Sequence, residues 1–159
     1  MKTLFLLRHA KAVPTSDSVR DFDRSLNDQG RRQAERVGKY LQQQKIVLDL
    51  VLSSTALRAR ETTELVLAAA ECVVEARYEQ RIYEASRQQL QEEIAEIGAD
   101  KSSVLLVGHN PGLEELLHHL TDHSWPMNTA TLAKIDLATS EWNKTSGEKG
   151  HLDWRITPN

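Results

Sequence analysis

Hydrophobic positions along this chain change period several times, and the changes mark elements in alternating order. "TLFLL" at residues 3–7 is apolar without polar alternation, which predicts a strand buried on both faces. A polar loop follows from Val13 to Leu26. "NDQGRRQAERVGKYLQQQ" then places Ala34, Val37 and Leu41 on one helical face, with Asn27 as the N-cap. "LDLVLSS" predicts a second buried strand. "ALRARETTELVLAAA" returns to helical spacing, with Ala59, Thr62, Val66 and Ala69 or Ala70 turned inward, and "CVVEARY" predicts a shorter strand. Ser86 followed three residues later by Gln89 forms a capping box, and Leu90, Ile94 and Ile97 line the inner face of the helix it starts. "SVLLVGH" and "GLEELLHHL" add a fourth strand and a fourth helix.

The pattern then changes. "TATLAKIDLA" and "GHLDWRI" both alternate with period two, through Ala133, Ile135 and Leu137 and through Leu152, Trp154 and Ile156. The turn-rich "TSEWNKTSGEKG" joins them, which predicts two antiparallel strands near a sheet edge. Continuous apolar strands alternating with helices predict right-handed crossovers and helices on both faces. The expected fold class is α/β: a three-layer α/β/α sandwich with a mostly parallel central sheet and antiparallel edge strands. No repeat, low-complexity tract or linker interrupts it, so residues 1–159 read as a single domain.

Composition narrows the function classes. A chain of 159 residues can bury a core without staples, and a formal net charge of −3 lacks the basic excess of a nucleic-acid or membrane-surface binder. Cys72 is the single cysteine, so no intrachain disulfide framework or cysteine-based metal site is expected; it reads as a small buried side chain. No signal-peptide core and no bilayer-length apolar run is present, which makes cytoplasmic the expected localisation.

Ligands of such sheets bind beyond the carboxyl ends of the strands. There the first strand delivers Arg8 and His9, the second strand–helix unit delivers Arg58 in "SSTALRARET", and the fourth strand ends at His109 in "VGHNPG". Two arginines and two histidines complement a phosphate monoester, which carries about −1.5 to −2 charges at neutral pH. A neutral imidazole can also attack phosphorus, and cationic neighbours favour that neutral form. On this reading His9 attacks and Arg8 holds what is attacked.

"LLRHAKA", "SSTALRARETTE" and "LLVGHNPGL", with "DFDRSLNDQG" and "IYEAS" between them, resemble the histidine phosphatase superfamily, and most closely its SixA-type phosphohistidine phosphatases. The resemblance covers nearly the whole chain. It implies that His9 is the phosphorylated nucleophile and that Arg8, Arg58 and His109 form the phosphate-binding pocket. The family's commonest first motif has glycine where this chain has Ala10. Ester-cleaving members carry a carboxylate after the third strand as general acid; "RIYEAS" offers Glu84 in the matching place and "RYEQ" offers Glu79, with Glu84 preferred as the residue just before the capped helix.

Other residues compete for roles. The motif register selects Arg58 over Arg60, which reads as helix surface; Arg20 and Arg24 could reach the rim, and Asn110 could shape the turn after His109. His119 and His123 are four apart, but no third ligand accompanies them, so a polar helix end is expected rather than a metal site. No metal or organic cofactor is implied. The segment from Glu84 to Val104 leaves no room for a large lid, which argues against a mutase and for an open, shallow site. The expected activity is hydrolysis of phosphohistidine on a partner protein through a phospho-His9 intermediate, with inorganic phosphate as product. The alternatives are a small-molecule phosphate monoester phosphatase and a non-catalytic module that binds a phosphoprotein.

Overall fold

The computed structural model describes residues 1–147 and 150–158. Strands β1 (Lys2–Arg8), β2 (Leu50–Ser54), β3 (Ala76–Glu79), β4 (Ser103–Gly108), β5 (Leu132–Leu137) and β6 (His151–Ile156) form one six-stranded sheet in the order β3-β2-β4-β1-β5-β6. The pairs β3–β2, β2–β4 and β4–β1 are parallel, whereas β5 runs antiparallel to both β1 and β6. The helices are α1 (Asp28–Gln43), α2 (Leu57–Ala69), α3 (Arg87–Ala95) and α4 (Gly112–Thr121).

The apolar runs behave as two interleaved patterns. In β1, Leu4 and Leu6 join Val104 and Leu106 of β4 in a core beneath α3 and α4. The intervening Phe5 and Leu7 join Leu105 and Val107 in a second core beneath α1 and α2. A strand serving two cores has no room for polar alternation. The register continues this division across the sheet, with Leu6 opposite Leu106 on one side and Ala133 on the other. The sandwich is therefore as the pattern predicts.

Local signals act as expected at two helix starts. The Asn27 side chain accepts from Gly30 N–H, and the Ser86–Gln89 capping box is formed in both directions. Three details differ. The third strand begins at Ala76 rather than Cys72, and Cys72 is half-buried rather than fully enclosed. Ala69 and Ala70 are likewise only partly covered, because α2 ends there. In the turn-rich link to β6, a 3-10 helix spans Trp142–Gly147, and positions 148 and 149 lie outside the described residues. Among the described residues no helix is long and apolar enough to cross a membrane, and no group of three or more His, Cys, Asp or Glu residues is arranged to hold a metal ion.

The topology brings the carboxyl ends of β1, β2 and β4 and the start of β5 to one edge. Ala130, just before β5, donates to the carbonyls of Arg8 and His9, which anchors the end of β1.

Candidate active site

At this edge the side chains of His9, Arg58 and His109 meet, each with only 5–6% of its surface exposed. Arg58 lies between the two rings: Nε is 3.3 Å from His9 Nε2 and Nη2 is 3.3 Å from His109 Nδ1. A guanidinium only donates, so both of these imidazole nitrogens must accept. His9 therefore carries its proton on Nδ1, which donates to the Ala10 carbonyl at 2.8 Å, and its unprotonated Nε2 faces Arg58. The same reasoning puts the His109 proton on Nε2, 2.8 Å from Ser54 Oγ at the end of β2.

Burial is the largest cause that pushes the His9 pKa down, to about 3, with His109, Arg58 and Arg8 adding in the same direction. His109 is pushed down to about 4, again mainly by burial and then by Arg58. Both rings are neutral at physiological pH, as a nucleophile requires.

Arg8 approaches from the other side. Its Nη1 donates to the Met127 carbonyl at 3.2 Å, while its Nε is buried and has no hydrogen-bond partner. A buried donor left unpaired is uncommon in a native fold and points to an acceptor that arrives with a ligand. Four of the sequence-predicted residues, Arg8, His9, Arg58 and His109, thus converge.

The remaining predicted residues separate. Glu84 is exposed at the rim with φ at 53°, directly after Tyr83, and Glu79 ends β3. Arg60 stacks on Tyr78 at 4.2 Å and Arg20 pairs with Asp23. Asn110 donates to Glu114 and to the Met127 carbonyl, so it does shape the turn. His123 lies beyond α4 and stacks on Trp125.

Two residues missing from the predicted site sit in its mouth. Asp21, in a 3-10 turn over Asp21–Asp23, reaches Arg58 through both its carbonyl (2.7 Å) and its carboxylate (3.2 Å). The Tyr83 hydroxyl donates to the same carboxylate at 2.6 Å, and Arg24 binds its other oxygen at 3.1 Å. The hydrogen bond from Tyr83 is the largest cause holding Asp21 down at about 2, and burial followed by Asp21 pushes Tyr83 up to about 12. Asp21 is therefore an anion and Tyr83 a neutral phenol. The site is deep and covered by this pair, not shallow and open as the sequence suggests. Asp21 was visible only as one acid within "DFDRSLNDQG", where no period distinguishes it from Asp23.

A cleft of about 610 Å³ lies alongside, lined in part by Arg87, Glu115, His118 and Trp125. Glu114 also lines this cleft and accepts from Met127 N–H and Asn110, while the Met127 carbonyl holds Arg8. Trp125 is 42% exposed yet held in place by Arg155 stacked on its ring at 4.6 Å.

These features define an α/β/α protein with a buried histidine–arginine–histidine cluster at the carboxyl edge of its sheet. The family profile of the histidine phosphatase superfamily (branch 1) matches residues 4–102, and the chain belongs to that superfamily. Among solved structures, a Nakamurella multipartitia protein assigned as the phosphohistidine phosphatase SixA superposes with a TM-score of 0.88 at 29% identity, covering 99% of this chain and 96% of its own. An Agrobacterium tumefaciens protein with the same assignment gives a TM-score of 0.86 at 30% identity, covering 99% and 98%. An uncharacterised Mycobacterium tuberculosis protein is 39% identical over 105 residues, which are 66% of this chain and 63% of that relative's length.

Proposed function

We propose that this protein is a phosphohydrolase that removes the phosphoryl group from phosphohistidine on a partner protein through a phospho-His9 intermediate. The observation that carries the reading is the state of His9. Its Nδ1–H is fixed on the Ala10 carbonyl, and its unprotonated Nε2 accepts from Arg58, whose other side meets His109, while Arg8 nearby keeps a buried, unpaired Nε. The likeness to the two proteins assigned as SixA supports the substrate class.

In the first step the His9 Nε2 lone pair forms a bond to phosphorus. The bond from phosphorus to the substrate imidazole breaks, and that ring, protonated on its far nitrogen, leaves as neutral imidazole. In the second step water attacks phosphorus, the electron pair of the breaking N–P bond returns to His9 Nε2, and both water protons stay on the released dihydrogen phosphate. Retention of the proton on Nδ1 makes His9 a good leaving group in this step. The phosphoryl charge that develops is held by Arg8 and Arg58, while the neutral His109, its proton on Nε2 toward Ser54, keeps Arg58 aimed through Nδ1.

An alkoxide leaving group would need a proton, and general acid catalysis is typically worth about 10²–10⁴-fold. Asp21 is ionised and hydrogen-bonded, and Tyr83 is a weak acid, so neither supplies that proton readily. Glu84 at the rim is the candidate acid for esters. This balance favours phosphohistidine over alkyl phosphates. The cleft beside the pocket, with its anchored Trp125, supports a macromolecular substrate.

The decisive experiment mixes wild type and His9→Ala with a phosphohistidine-bearing protein and, separately, with an aryl phosphate, quenches rapidly, and weighs the intact protein. A transient phosphoryl adduct that maps to His9, faster from the phosphoprotein and absent from His9→Ala, is expected. Binding of the phosphoprotein with neither adduct nor turnover would make the pocket a reader.

A further inference from the structure

The pocket proposed to receive phosphate is not empty of negative charge. Arg58 spends its donors on His9 Nε2, His109 Nδ1, and the carbonyl and carboxylate of Asp21. The arginine fork that fits an oxyanion is therefore already occupied by an oxyanion of the protein's own. A phosphoryl group bonded to His9 Nε2 must take the place of the Arg58 Nε contact. Its oxygens then compete with the Asp21 carboxylate for the remaining N–H groups.

The surroundings of Asp21 allow this exchange. Its second carboxylate oxygen is held by Arg24, outside the pocket, so the side chain keeps a cationic partner when it releases Arg58. On its outer side, a cleft of about 480 Å³ bounded by Arg20, Phe22, Gln80 and Tyr83 offers room for it. The 3-10 turn that carries it is short and has no fully buried residue.

We propose that Asp21 is an internal stand-in for phosphate: it holds Arg58 in position while the pocket is empty, yields Arg58 to the arriving phosphoryl group, and returns to expel inorganic phosphate. This rests on the reading of the pocket as a phosphoryl site and adds how that site releases its product. Asp21 is on this account a positioning residue that acts through Arg58, and the affinity of the pocket for oxyanions is held below what its cations alone would give.

The test is direct binding of inorganic phosphate by calorimetry, with its inhibition constant measured in parallel, for wild type, Asp21→Asn, Asp21→Ala and Asp23→Asn. Asparagine retains the size and acceptor oxygen of Asp21, and alanine removes the side chain altogether, so a folding defect in one does not remove the test. Both Asp21 variants should bind phosphate at least about fivefold more tightly, the scale of one like charge about 4 Å away even at the dielectric of water. The Asp23 variant, which loses only an exposed pair with Arg20, should match wild type. A purely structural role for Asp21 would weaken phosphate binding in its variants. Equal or weaker binding in both overturns the stand-in while leaving the phosphate pocket intact. Failure of wild type and of both Asp21 variants to bind phosphate overturns the reading of the pocket.

Discussion

The two histidines show how a single residue's environment sets both chemistry and pH response. Burial holds His9 at about 3 and His109 at about 4, below the ordinary imidazole value of about 6.5. Between those limits the unfolded chain binds protons that the folded chain refuses, so acidification favours unfolding. Stability is expected to be fully present above about pH 6.5 and to fall steadily as pH drops to about 3. The contribution of Asp21, held down at about 2, is lost only below the usual Asp range and leaves this window to the histidines. Urea unfolding midpoints at pH 7 and pH 4.5 test this. The drop should be clearly smaller in a His9→Gln/His109→Gln double variant, and an undiminished drop would place the sensitivity elsewhere. At this scale the sequence is readable where a polar residue interrupts an apolar strand end, as at Arg8, His9 and His109. Asp21 and Tyr83 were not readable, because they reach the same spot from irregular segments whose geometry is set by packing and not by period.

The elements that deliver those segments impose their own requirements. The chain from Tyr83 to Ala85 crosses the start of α4 so closely that a Cβ on Gly112 would meet the Ala85 carbonyl oxygen at 2.2 Å. Tyr83 in turn packs its ring edge against His109, with centroids 5.6 Å apart, and against Phe22 at 5.1 Å. Glycine at position 112 is thus what lets Tyr83 stand beside the pocket. Gly112→Ala is expected to move this segment away from α4, with a loss of about 1–3 kcal/mol as for other overpacked sites. The Tyr83 hydroxyl would then leave Asp21, and turnover of an aryl phosphate should fall together with the urea midpoint. An unaltered midpoint with unaltered turnover would show that the crossing is not needed. The capping box at Ser86 was visible in four residues because its chemistry is local. The close crossing was not visible, since it depends on two segments about 27 positions apart in sequence, from Ala85 to Gly112.

At the scale of the whole molecule, the antiparallel pairing of β5 with β1 does more than extend the sheet. It sets the start of β5 against the end of β1, so that the segment before β5 borders the reactive edge: Met127 holds Arg8, and Trp125 overlooks the adjoining cleft. On the proposed function, a partner protein that presents phosphohistidine to His9 lies across that edge, where Trp125 is exposed. An aryl phosphate has no such extension. Trp125 is exposed, aromatic and stacked against Arg155, and exposed aromatic residues are enriched among those that dominate protein interfaces. Its removal should therefore act on one substrate only. Trp125→Ala is expected to raise KM for a phosphohistidine-bearing protein by roughly tenfold or more, the usual cost of an interface anchor. It should leave kcat, and both constants for the aryl phosphate, close to wild type, because Trp125 contacts neither His9 nor Arg58. Steady-state kinetics on the two donors make the comparison. An equal loss on both would mean that Trp125 supports the pocket itself, and no loss on either would mean that the partner approaches from the side of Asp21 and Phe22.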